Sequence, residues 1–147
     1  MLATISQRLK HYMPSVVESE VEKTSAKAAV MLLLQGDPLD PHVILTQRAK
    51  HLNHHAGEVA FPGGMKEPGD QNLLATALRE TEEEIGLTSD KIELLGMLPC
   101  DSPRLSMLRV APFMGWVASP YRLQPEPSEI AAVFNFPLKL LLDPGGY

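Results

Sequence analysis

Phe61-Pro-Gly-Gly-Met-Lys-Glu-Pro-Gly-Asp-Gln-Asn-Leu-Leu-Ala-Thr-Ala-Leu-Arg-Glu-Thr-Glu-Glu-Glu-Ile-Gly-Leu87 runs from a glycine turn into a segment of helical spacing crowded with carboxylates. Leu74, Ala77, Leu78, Thr81 and Ile85 recur so that a helix carries them along one stripe, which must face a core. Glu80 and Glu84 flank that stripe, and Glu83 lies further round, four residues after Arg79 and at ion-pair spacing from it. Glu80, Glu83 and Glu84 therefore share roughly 100° of helix arc, where they repel one another.

A solvated acidic face is the plainest account of a glutamate-rich helix. Here the placement of the charges argues against it. Glu82, Glu83 and Glu84 fall in the last turn before Gly86, an expected C-cap, where the helix dipole disfavours negative charge. Each such cost is on the order of a few tenths of a kcal/mol to 1 kcal/mol, and a divalent cation reverses the local field. Carboxylates without histidine or cysteine in the pattern favour a hard ion, Mg²⁺ or Mn²⁺, over zinc. Magnesium commonly joins carboxylates to phosphate oxygens, so the implied chemistry is at phosphate, with the metal as Lewis acid and template for an activated water.

The same residues resemble a Nudix box, whose usual form is Gly, five residues, Glu, seven residues, then Arg-Glu-hydrophobic-x-Glu-Glu-x-Gly-hydrophobic. Arg79, Glu80, Glu83, Glu84, Gly86 and Leu87 occupy the expected places, with Thr81 where an apolar residue is commoner. In the first half Gly64 is followed after five residues by Asp70, not Glu, and eight residues separate Asp70 from Arg79. One extra residue turns a regular helix by about 100°, so it must be absorbed before Arg79, in the loop or the first turn.

That departure resembles the coenzyme A pyrophosphatase branch of the family. The branch also carries an upstream signature, Leu-Leu-Thr-x-Arg-Ser/Ala, three residues, Arg, three residues, Gly, three residues, Phe-Pro-Gly-Gly. Here the chain reads Ile44-Leu-Thr-Gln-Arg48-Ala49, then Asn53, Gly57 and Phe61-Pro-Gly63-Gly64. Asn53 stands where the branch has an arginine able to pair with phosphate, a change that is not conservative. Lys50, His51, His54 or His55 could supply other donors.

The resemblance implies a Nudix-type α/β/α sandwich with a mixed central sheet, and hydrolysis of a small diphosphate substrate assisted by Mg²⁺ or Mn²⁺. It implies Glu80, Glu83 and Glu84 as metal ligands with a carbonyl of Gly64, and Arg79 as their ion-pair partner. It implies Arg48, Asn53, Gly57, Phe61, Gly63 and Gly64 around the substrate. Glu129, from a loop before the Ile130–Phe136 stretch, would complete the metal site or act as base, or be an ordinary loop glutamate. Coenzyme A or a derivative is the expected substrate, with ADP-ribose, dinucleotides or a damaged nucleoside triphosphate as enzymatic alternatives. A non-catalytic nucleotide sensor is the alternative of another class.

Composition bounds these readings. The 147 residues, 44 % of them hydrophobic, suit one domain with a core. A formal net charge of -5 argues against generic nucleic-acid or anionic-membrane partners. Cys100 is the single cysteine, compatible with a reducing cytoplasm and most simply a small core or loop residue. No long apolar run opens the chain. Monomer and homodimer both stay open.

Elements follow from the spacing. Leu2, Ile5, Leu9, Tyr12 and Met13 predict an amphipathic helix over 2–12. Strands are expected over Ala28–Leu34, His42–Gln47, Ile92–Leu98, Met107–Val117 and Ile130–Phe136, with a short extended piece near Val59 and Ala60 and a short helix over Leu138–Leu142. Residues 49–64 read as a functional loop. Arg104 and Arg109 are each either a phosphate contact or a surface charge. Relatives of the branch continue into a further strand and a C-terminal helix, so the chain is expected to be one Nudix domain without them.

Overall fold

The computed structural model describes residues 26–53, 56–98, 110–118 and 121–142. The expected helix over 2–12, and His54, His55, Cys100, Arg104 and Arg109, lie outside them.

The apolar run that begins at Ala28 forms β1 (Ala28–Asp37), longer than expected, and folds back through Pro38 and Leu39 into β2 (Asp40–Arg48). Asp37 holds this hairpin, its Oδ1 accepting the Leu39 N–H at 2.9 Å. The strand is continuously apolar because it is covered on both faces. Met31 and Leu33 point into one core cluster, Leu32 and Leu34 into another.

The pairing register shows where room for a site is made. β1 and β2 pair with each other only from Leu34 and Val43 to the turn. Beyond that point they part, and the segment between them is filled by β3 (Val59–Ala60) on β2 and β4 (Gly63–Met65) on β1. Pro62 crosses from one to the other, and its carbonyl accepts the Met31 N–H at 2.8 Å. The glycine pair expected to be a turn is thus a strand, antiparallel to Ala28–Val30.

On the other edge of β1 lies β6 (Val110–Val117), in parallel, and β5 (Ile92–Met97) pairs antiparallel to β6. The other edge of β2 carries β7 (Ile130–Pro137). All seven strands form one mixed network. Helix α1 (Leu73–Ile85) packs on β1, β4 and β6, and the short α2 (Leu138–Leu142) on β2 and β7, giving the α/β/α layering expected.

The side chain of Asn72 starts α1 as N-cap, accepting the Ala75 N–H at 2.8 Å. Gly86 ends it in the left-handed conformation, φ 73°, donating its N–H to the Glu82 carbonyl. Ala77, Thr81 and Ile85 are buried as the spacing demands, and Leu73, Thr76 and Glu84 are buried with them. Among the described residues no helix is long and apolar enough to cross a membrane.

Candidate active site

Two turns of α1 and the β4 backbone build the acidic centre. Thr76, Glu80 and Glu84 stand at i, i+4 and i+8, one row along the helix beside its apolar stripe. Glu84 is only 3 % exposed, and its Oε2 accepts the Gly63 N–H at 2.8 Å. Glu80 lies against Gly64 so closely that a β-carbon there would meet its carboxylate at 2.6–3.0 Å. The glycine pair therefore permits close approach of strand and helix.

Burial pushes the Glu84 carboxyl up to about 7, with the Glu80 and Glu129 charges adding to the effect and the Gly63 hydrogen bond opposing it. Burial also raises Glu80, with Arg79 pulling it back and Glu83 and Glu129 pushing it further. The site thus holds mutually repelling carboxylates in a partly desolvated place.

Arg79 is the hub that restrains them. Its Nη1 reaches Glu80 Oε1 at 3.0 Å and Glu83 Oε2 at 3.1 Å, the i, i+4 pair expected. Its Nε and Nη2 make a two-pronged pair with Asp70 at 2.9 and 3.0 Å, and Nη2 also donates to the Met65 carbonyl. Asp70 holds the Arg79 charge firmly, raising its pKa. Glu83, its side chain 53 % exposed, lies on the solvent side of this hub.

Asp70 itself precedes the helix, in a turn where its N–H donates to the Glu67 carbonyl. The extra residue before Arg79 is absorbed there, upstream of the N-cap. The Arg79 hydrogen bonds, then the Glu67 N–H, hold the Asp70 carboxyl well below the usual carboxylate range. Its contribution to stability is full above the unfolded-state value of about 4 and is lost as pH falls through the lower folded value. Asp70→Asn should therefore be less stable than the parent at neutral pH. Thermal unfolding followed down to about pH 2 should show the gap narrowing below about pH 4.

The remaining positions surround this centre unevenly. Arg48 sits at a bulge between Gln47 and Arg48 in β2; bulges commonly re-aim a side chain. Its charge acts on Glu84, and its Nε is buried with no hydrogen-bond partner among the described residues. Gly57 returns the 49–58 loop to this strand, φ 73°, its N–H donating to the Arg48 carbonyl. Asn53 is exposed on that loop. Phe61 packs with the Leu32, Leu34 and Val43 cluster rather than with the α1 cluster.

Glu129 is brought in by a strap over the end of α1. The Gln124 and Glu126 N–H groups donate to the Ile85 and Glu84 carbonyls at 2.7 and 2.9 Å, and the Glu129 carbonyl accepts the Ala49 N–H. The strap satisfies helix-end carbonyls that the acidic last turn leaves open.

Residues 24–146 match the NUDIX domain. The chain belongs to the Nudix family. It is 41 % identical over 116 residues to proteins named uncharacterized Nudix hydrolase NudL from Yersinia pestis (strain Pestoides F) and Yersinia pseudotuberculosis serotype O:1b (strain IP 31758). The match covers 78 % of this chain and 57 % of those proteins, so the chain spans little more than half their length. The Nudix fold is seen again in a C. elegans Ap4A hydrolase binary complex, TM-score 0.61 at 19 % identity over 83 % of this chain and 87 % of that one. The NUDIX domain of Shewanella oneidensis NrtR complexed with ADP ribose gives 0.53 at 20 % identity, over 88 % and 86 %.

Nudix hydrolases generally use divalent cations, and the donor set suits one. It offers oxygens alone, which suits Mg²⁺ or Mn²⁺. Glu84 is buried, its carboxylate accepting the Gly63 N–H beside a like-charged neighbour, an arrangement that a cation relieves. Among the described residues, however, no three His, Cys, Asp or Glu side chains are gathered into a ready-made cage. Mg²⁺ tolerates this, since it keeps several waters and binds through one or two carboxylates.

Sequence reasoning missed the grip of Asp70 on Arg79, the Thr76 hydroxyl and the Gly63 N–H. The i, i+4, i+8 row of Thr76, Glu80 and Glu84 was the available signal for one of them.

Proposed function

We propose that this Nudix domain hydrolyses the diphosphate of a nucleoside diphosphate joined to a second group, in a reducing cytoplasm. The substrate is coenzyme A or a derivative, and the products are 4'-phosphopantetheine and 3',5'-ADP. What carries this reading is the pairing of Glu84, buried under the Gly63 N–H, with Glu80, which lies against Gly64 and is held by Arg79. The branch-like residues from Thr46 to Gly64 support the coenzyme A part.

Mg²⁺ or Mn²⁺ held by Glu80 and Glu84, with Glu83, Glu129 and the Gly64 carbonyl as further oxygen donors, would neutralise charge developing on the diphosphate. Arg79 keeps Glu80 and Glu83 in place against their repulsion. Arg48, whose charge acts on Glu84 and whose buried Nε has no hydrogen-bond partner among the described residues, donates to a phosphate oxygen. Glu83 or Glu129 accepts the proton of the attacking water. Asn53, Gly57, Phe61 and Gly63 shape the approach.

ADP-ribose is the second reading, favoured by Asn53 in place of the branch arginine. Purified protein with Mg²⁺ or Mn²⁺, offered coenzyme A, ADP-ribose, a dinucleotide and nucleoside triphosphates, should split coenzyme A. Turnover of ADP-ribose alone would overturn the substrate assignment. Tight binding without turnover of any of them would replace the enzyme with a nucleotide sensor.

A further inference from the structure

We propose that Thr76 is a positioning residue for the acidic centre, acting through Asp70 and Arg79 on Glu80 and Glu83. This rests on the reading of that centre as a divalent-metal site. Thr76 is fully buried in α1, and its hydroxyl lies 2.9 Å from Asp70 Oδ2 and 3.2 Å from the Asn72 carbonyl. The hydroxyl has one proton to donate. The Asn72 carbonyl already accepts the Thr76 N–H, and a carboxylate is the stronger acceptor, so the bond to Asp70 prevails.

That bond fixes the orientation of a carboxylate that the rest of the hub depends on. Asp70 Oδ2 accepts from the Glu67 N–H at 2.9 Å, from Thr76 and from Arg79 Nη2, while Oδ1 accepts Arg79 Nε. The Glu67 contact comes from the same turn as Asp70, and Arg79 is the group being positioned. Thr76 is thus the contact from the helix that ties Asp70 to the frame independently of Arg79. With Asp70 set, the Nε and Nη2 edge of the planar guanidinium meets both its oxygens, and in that orientation Nη1 is aimed between Glu80 and Glu83. Asp70 lies two residues before the N-cap, outside the helix, where helical geometry does not align it, so a tie from the helix is what sets it.

The test compares Thr76→Val, which keeps the shape and removes the donor, with Thr76→Ser, which keeps the donor. Thr81→Val is the control: Thr81 is equally buried on α1, but its hydroxyl donates to the Ala77 carbonyl at 2.7 Å, away from the hub. Mn²⁺ binding is measured by the resonance of the free ion, and exchange of the Arg79 Nε proton by NMR without metal. Thr76→Val should weaken Mn²⁺ binding about 10-fold or more and speed the exchange, with Thr76→Ser and Thr81→Val within about threefold of the parent. Thr76→Ala replaces Thr76→Val should the latter not fold. Unchanged Mn²⁺ affinity in Thr76→Val, or equal weakening in Thr81→Val, overturns the proposal. A parent protein that binds no Mn²⁺ removes the metal reading instead. Exchange at Arg79 then decides on Thr76 by itself, and an unchanged rate overturns it.

Discussion

Glu84→Gln is expected to lower kcat/KM for the diphosphate substrate by about 10³-fold, ~4 kcal/mol of transition-state stabilisation. Fold should be retained, because glutamine has nearly the same shape and its amide oxygen still accepts the Gly63 N–H. Stability measured in EDTA at mildly alkaline pH should be unchanged or higher. The parent carries there a charge that burial and the Glu80 and Glu129 carboxylates disfavour, and the amide removes it. The expected pattern is therefore loss of turnover and of Mn²⁺ affinity together with equal or raised Tm. Turnover within about tenfold of the parent would show that Glu84 is not among the groups that stabilise the transition state.

Local pattern made the layers legible, and non-local pairing supplied what it could not. The unbroken apolar run of β1 announces burial on both faces, and the spacing of Ala77, Thr81 and Ile85 announces the inner face of α1. Thr81 is tolerated where an apolar residue is commoner because its hydroxyl is satisfied inside the helix by Ala77. Gly63 and Gly64, by contrast, carry no period, and only their partners Ala29 and Val30 make them a strand. Glu84 reads from spacing as a flank of the stripe. Its burial arises because that strand lies over it, a contact between residues 21 apart. Asp70 was visible as an irregularity in spacing, yet its two-pronged grip on Arg79 needed the turn at Glu67 to be placed first. Arg48 and Glu129 were marked by resemblance alone, since a bulge and a backbone strap leave no periodic trace.

The glycine pair yields the second large effect, because the two positions fail for different reasons. A β-carbon at Gly63 would lie 2.3 Å from the Ala29 carbonyl oxygen and 2.7 Å from the Val30 Cα, backbone atoms of the central strand that cannot yield without parting β4 from β1. Gly63→Ala should therefore destabilise the fold by about 3 kcal/mol, with the Tm falling accordingly. At Gly64 the nearest atoms the added carbon would meet are those of the Glu80 carboxylate, the far end of a flexible side chain. That group can swing away at small cost to the fold, but it leaves the position in which Arg79 Nη1 holds it. Gly64→Ala should accordingly keep most of its Tm while losing about 10²-fold in kcat, the penalty for displacing a catalytic group by about 1 Å. Calorimetry and steady-state kinetics on the two variants separate a strand that must form from a carboxylate that must be placed. Equal losses of Tm in both would mean that Glu80 is as rigidly held as the β1 backbone, and that the acidic centre is part of the core rather than seated upon it.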